Sequence, residues 1–175
     1  MATAQRLCVD LDRDAQEITR FTRFCVAGPP GACTIYVGAI GDDGYGRFWL
    51  GRRPGPAVVR AQRFAYAAVH GEIAERVVAM HECDNPLCVA VGRGHVVAGT
   101  QADNLAHMAG KHRGGGSGLG RGSTGLDREA RRARAHALRA AVLDGWNSER
   151  VREALGISMP GQDSLFTWPP IGTPQ

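Results

Sequence analysis

The chain has 175 residues, 43% of them hydrophobic and only 6% aromatic, with 24 glycines and a net charge of +4. That fits one domain of ordinary size with a modest core and room for an appendage. No run approaches 18 apolar residues and the opening MATAQRLCVDLDRDAQE has no basic-then-apolar order, so neither a membrane-spanning helix nor a signal peptide is expected. An intracellular setting without a membrane partner is therefore expected. In a reducing compartment the five cysteines favour metal ligation over disulfides.

Residues 1–24 read as an N-terminal arm or helix, balanced in charge. GPPGA at 28–32 is a turn cluster, and β-branched CTIYVGAI at 33–40 reads as a strand. GDDGYG at 41–46 is turn chemistry and RFWLG at 47–51 the return strand, so a hairpin is expected. RRPGPA is a loop, followed by a short strand at Val58–Arg60. RFAYAAVHGEI at 63–73 reads as a helix ending near Gly71. VVAM at 77–80 is a strand running into His81, residues 82–94 are an irregular loop, and VVAG at 96–99 is a second strand. Thr100 with Asp103 resembles a capping box opening a helix over about 101–112. GGGSGLGRGSTG ends a first domain at 113 with a linker over 114–125. Residues 126–157 read as two helices in a helix-turn-helix-like appendage, the first over 127–144 and the second capped by Ser148. Proline-rich residues 158–175 are a tail.

Between the two short strands lies HECDNPLC. Cys83, Cys88 and His95 have spacings that let two thiolates and an imidazole converge on one tetrahedral zinc ion. A fourth ligand is needed. Cys33, at the start of a strand able to lie beside the loop, is the first choice and Cys25 the second, with Cys8 a plain buried thiol. Such a loop costs roughly 1–2 kcal/mol per residue to order, and structural zinc supplies on the order of 10–16 kcal/mol. His81 then stands apart from the ligands. The bland alternative is a hydrogen-bonded core histidine. Asn104, in the first turn of the following helix, offers an amide oxygen suited to Mg²⁺. His70, His107, His112 and His136 read as surface or helix-end residues, Asp84–Asn85 as a loop cap, and Trp49 and Trp146 as core.

The run VVAMHECDNPLCVAVGRGHVVAGTQADN resembles the HNH, or ββα-metal (His-Me finger), endonuclease motif. It is similar to the branch with a zinc-binding His-Cys box found in homing endonucleases and phage HNH nucleases. The resemblance covers about residues 25–113 and implies an α+β nuclease core with a β-hairpin, structural zinc and a C-terminal helical appendage. It implies Cys33, Cys83, Cys88 and His95 as zinc ligands. His81 would be the general base, and Asn104 would hold the catalytic divalent ion, Mg²⁺ or similar. An arginine before the helix would stabilise the transition state, Arg63 first and Arg60 second. Three positions depart from the pattern: Met80 stands where many members carry Asp or His, Gln62 where phage relatives often carry His, and VAVGRGH is two residues longer and lacks Asn-Pro.

Residues 111–139 carry eight basic residues against two acidic ones. Lys111, Arg113, Arg121, Arg131, Arg132 and Arg134 in this segment are candidate contacts to double-stranded DNA. A homing enzyme of this type would act as a homodimer on a palindromic site, whereas a phage packaging or repair nuclease could act as a monomer. Two rivals share the zinc residues: a DNA-binding or regulatory module without cleavage, and a zinc protein that binds a protein partner.

Overall fold

A computed structural model describes residues 5–52, 57–110 and 125–156, the side chains of 125–127 excepted. Its described part is a mixed α and β arrangement of four small antiparallel sheets and five helices. The N-terminal segment is not a free arm. Strand β1 (Leu7–Cys8) pairs with β7 (Glu72–Ile73), and helix α1 (Ala15–Thr22) buries Phe21. Leu7, Val9 and Phe21 join the main core with Tyr36, Phe48, Leu50, Phe64 and Ile73. The packed body thus extends below residue 25.

The expected long strand over 33–40 is two. β3 (Thr34–Tyr36) pairs with β2 (Cys25–Ala27), and β4 (Ala39–Ile40) pairs with β5 (Gly46–Leu50). The bend falls at Gly38, where a Cβ would lie 2.3 Å from the Tyr36 hydroxyl. That hydroxyl donates across the bend to the Arg47 carbonyl at 2.8 Å. The 41–46 turn forms as its composition demands, with Gly44 at φ +80°. β5 then pairs with β6 (Ala57–Arg60), Phe48 opposite Val59 and Trp49 opposite Val58. Strand alternation sends Phe48 and Leu50 inward and Trp49 outward. Trp49 is 51% exposed, which corrects its assignment to the core.

Helix α2 (Ala61–His70) starts two residues earlier than expected and stops at Gly71, whose φ of +81° suits glycine. Glu72 and Ile73 belong to β7 instead. Strand β8 (Val78–His81) and β9 (Val96–Gly99) form a two-stranded ladder with His81 opposite Val96. Helix α3 (Gln101–Gly110) follows directly and packs on both strands. Its capping box is real: the Asp103 amide donates to Thr100 Oγ1 at 3.1 Å, and the Thr100 amide to Asp103 Oδ2 at 2.8 Å.

Helix α4 (Gly125–Ala140) begins at the last residue of the expected linker and ends four residues early. Helix α5 (Ser148–Gly156) is capped by Asn147, whose Oδ1 accepts from the Arg150 amide at 2.9 Å, so Ser148 is the first helical residue rather than the cap. The two helices are no loose appendage. Leu138, Val142, Val151 and Ala154 form a second core with Ile35 and Leu87, all at most 6% exposed. The remaining linker, the tail, and Lys111, His112, Arg113 and Arg121 lie outside the described residues. Among the described residues no helix is long and apolar enough to cross a membrane.

Candidate metal centre and the corner beside it

The 82–95 loop is held by backbone pairing to β3. Ile35 bridges Cys88, the Tyr36 amide donates to the Leu87 carbonyl at 2.8 Å, and the Val89 amide to the Thr34 carbonyl at 2.8 Å. This register sets Cys33 beside Cys88. Within the loop, Asn85 makes the turn. Its Oδ1 accepts from the Leu87 amide at 3.0 Å and its carbonyl from the Cys88 amide at 3.1 Å. Asp84 before it takes φ +58°, a conformation Asp tolerates better than most residues. At the far side, the Glu82 amide donates to the His95 carbonyl at 2.7 Å, and the Gly94 amide to Glu82 Oε2 at 2.5 Å. Together these bonds place His95 over the cysteines.

The result is one cluster of Cys33, Cys83, Cys88 and His95, whose ligand atoms lie within 4.8 Å of one another. His95 Nδ1 is 3.7 Å from both the Cys33 and Cys88 sulfurs. A tetrahedral zinc with Zn–S near 2.3 Å and Zn–N near 2.0 Å has an S···N edge of about 3.5 Å. The geometry and the Cys₃His donor set therefore fit a metal ion such as zinc, bound through Nδ1. Sulfhydryl hydrogen bonds from Cys83 and Cys88 hold the Cys33 thiol down to about 3, while Cys33 and Cys83 push Cys88 up. Three sulfurs this close share their negative charge comfortably only with a cation. Asn85 adds to the lowering of Cys33, so its buried Nδ2, which has no well-formed hydrogen bond, faces sulfur rather than oxygen.

Cys25 is not a ligand. Its thiol donates to the Phe21 carbonyl at 3.3 Å, and burial pushes it up to about 12. Cys8, expected to be buried, is exposed and lies 3.8 Å from Glu72 Oε2.

His81 stands outside the cluster. Its Nε2 is 2.9 Å from the Cys88 carbonyl oxygen, so Nε2 carries the hydrogen and the Nδ1 lone pair remains. Tyr45 stacks on the imidazole with ring centres 5.9 Å apart, and the Arg60 guanidinium lies 4.4 Å from the Tyr45 ring centre. Burial holds His81 below the ordinary imidazole value; the Cys88 carbonyl, Cys83 and Asp84 oppose this, and Arg60 reinforces it. Tyr45 was not singled out in the sequence. The only signal was an aromatic residue set in an otherwise small and acidic turn.

The two candidate arginines lie in different surroundings. Arg63 donates to the backbone carbonyls of Val77 at 2.6 Å and Gln5 at 2.8 Å, where it ties β8 to the N-terminal segment. Arg60 lies on the His81 side, bridged with Arg47 by Asp43 at 2.9 and 2.7 Å. Burial alone would raise the Asp43 carboxyl, but Arg47, the Tyr45 amide and Arg60 together bring it below the usual range. Asn104 is half-buried on α3, its Nδ2 3.8 Å from Met108 Sδ, which leaves the amide oxygen as the uncommitted donor atom. One turn on, His107 Nε2 is 3.9 Å from Asp84 Oδ1, so this face of α3 meets the loop next to Cys83.

The basic helix is less available than its sequence suggests. Arg134 is only 6% exposed, Arg131 is half-buried against Gly44, and Arg132 pairs with Asp42 at 3.5 Å. Of the three described DNA-contact candidates, Arg132 alone is exposed, and Arg134 is buried beyond reach of a phosphate.

Comparison with known proteins gives one informative match. The chain is 33% identical over 81 residues to protein 7.7 of Escherichia phage T7, covering 46% of this chain and 58% of that protein. It thus spans a little over half the length of the curated relative it matches. No family model matches the chain, and no solved structure does so at a significant level.

Proposed function

We propose that the chain is a zinc-stabilised, metal-dependent DNA endonuclease of the ββα-metal type, in which His81 is the general base. The observation that carries this reading is the hydrogen bond from His81 Nε2 to the Cys88 carbonyl. It aligns an imidazole with one free nitrogen at the mouth of a strand–strand–helix unit, beside but separate from a Cys₃His cluster. A structural metal with four protein ligands has no open position, so the chemistry falls to the neighbouring groups.

In this reading Nδ1 of His81 takes the proton from the attacking water. Tyr45 fixes the ring plane, and Arg60 faces the negative charge that builds on the phosphate. The Asn104 amide oxygen would hold a divalent ion, which when bound supplies Lewis-acid stabilisation of the leaving oxygen. The expected products carry 5′-phosphate and 3′-hydroxyl ends. The partial match to a phage protein is compatible with this setting.

The test is plasmid nicking in Mg²⁺ by the zinc-loaded protein. His81→Ala should lower the rate by roughly 10²–10⁴-fold, the usual worth of a general base. Equal cutting by the wild type and this variant would refute the mechanism. DNA binding with no cutting by either would favour the non-cleaving regulatory module.

A further inference from the structure

The outer face of the β5–β6 hairpin carries Trp49, Val58 and Arg47, which neither the zinc centre nor the proposed chemistry uses. Trp49 is 51% exposed and its cross-strand partner Val58 is 62% exposed. Two residues along each strand, on the same face, stand Arg47 and Arg60, which also face each other across the ladder. The indole is fixed rather than loose. The Arg20 guanidinium lies 5.4 Å from its ring centre, and a Cβ on Gly51 would come within 3.2 Å of the ring, so the missing side chain lets it lie on the backbone. Around it stand three arginines, 20, 47 and 60, with two carboxylates, Asp43 between Arg47 and Arg60 and Glu17 on the Gly51 amide. Arg60 covers Tyr45, and Tyr45 stacks on His81. The face is therefore continuous with the His81 corner.

We infer that this face binds an unpaired nucleic-acid strand, with a base stacked on Trp49 and flanking phosphates on Arg47 and Arg60. The inference rests on the reading of His81 as a phosphodiester-cleaving site. Charge complementarity selects the occupant: a basic surface around a flat aromatic ring suits a polyanion with π-faces, whereas an apolar protein surface would leave three guanidinium groups facing hydrocarbon. The spacing agrees. Two residues of a strand span about 7 Å, close to one nucleotide step of an extended strand. A stacking platform reads any base, so weak sequence preference is expected here. Base pairing hides the base faces, so an unpaired strand should bind through Trp49 more tightly than duplex does.

The test measures fluorescence anisotropy with a labelled mixed-sequence 20-mer, single-stranded or annealed. It uses the full-length zinc-loaded chain carrying His81→Ala so that nothing is cut. Adding Trp49→Ala should weaken single-strand binding about tenfold or more, while Trp49→Phe stays within about threefold. Duplex binding should change much less. An unchanged single-strand affinity in a folded Trp49→Ala protein overturns the inference. So does sedimentation showing that Trp49→Ala dissolves a dimer without altering oligonucleotide binding, since the face then serves a second copy of the chain. Because binding is read without cleavage, the two readings fail separately. A chain that binds through Trp49 yet never nicks plasmid refutes the endonuclease, and one that nicks but binds normally without Trp49 refutes the platform.

Discussion

Replacing Cys33 by Ser tests the metal centre most sharply, because Cys25→Ser is a matched control. Both cysteines were plausible fourth ligands, and both are only partly exposed. Cys33 lies in the cluster with His95 Nδ1 at 3.7 Å, whereas Cys25 bonds only a backbone carbonyl. If a structural zinc is worth on the order of 10–16 kcal/mol, one ligand of four carries about 2.5–4 kcal/mol. At about 2–4 °C per kcal/mol for a chain of this size, Cys33→Ser should lower the melting temperature by about 5–16 °C. Cys25→Ser loses a weak thiol hydrogen bond and gains a buried hydroxyl that can make the same bond, so a shift below about 4 °C is expected. Zinc content by elemental analysis and melting by circular dichroism decide the matter. Wild-type zinc retained with an unchanged melt in Cys33→Ser, or zinc lost in Cys25→Ser instead, would refute the assignment.

Three further outcomes follow from the geometry. Asp43 has a depressed folded value, so its stabilising effect is present above the unfolded carboxylate range near pH 4 and disappears as pH falls through the folded value. Asp43→Asn should therefore melt a few degrees below wild type at pH 6 and converge with it only once the pH has fallen below the depressed folded value; a gap of undiminished size throughout the acid range would show that charge is not the cause. Thr100→Ala removes one half of the capping box and should cost about 2–4 °C, read by thermal melting, with little change expected if α3 is held by packing alone. With Cys25 pushed up to about 12, only about one thiol in 10⁴ is ionised at pH 8. Iodoacetamide should then label Cys8 in the folded chain and Cys25 only after unfolding, as mass spectrometry of the peptides would show.

What could be read beforehand and what could not divides along physical lines. The Cys₃His cluster was legible because metal chemistry restricts residue type and loop length together. The capping box and the turn at 41–46 were legible because their signals are local. Trp49 was missed although the alternation of Phe48, Trp49 and Leu50 contains the answer: if two neighbours point inward, the residue between them points out. The tie of Arg63 to two backbone carbonyls could not be read, because it depends on which carbonyls α2 meets once β8 and the N-terminal segment are in place. The bend at Gly38 is likewise a tertiary matter, set by where the Tyr36 hydroxyl finds its acceptor. The burial of Arg134 needed the docking of α4 on Ile35 and Leu87, a contact invisible in a helix that looked merely basic.

Cys88 links the structural centre to the proposed chemistry. Its sulfur lies in the cluster, its amide bonds Asn85, and its carbonyl accepts from His81. A residue held at its amide, carbonyl and sulfur moves little, so the carbonyl that selects the His81 tautomer is fixed by the same residue that would hold the metal. Loss of any cluster ligand should then release the base as well as the loop. Cys33→Ser, which leaves His81 and Asn104 intact, would nick plasmid far more slowly than its folded fraction predicts. A rate that merely follows the folded fraction would show that the imidazole keeps its place without the metal, and that the two sites are neighbours rather than partners.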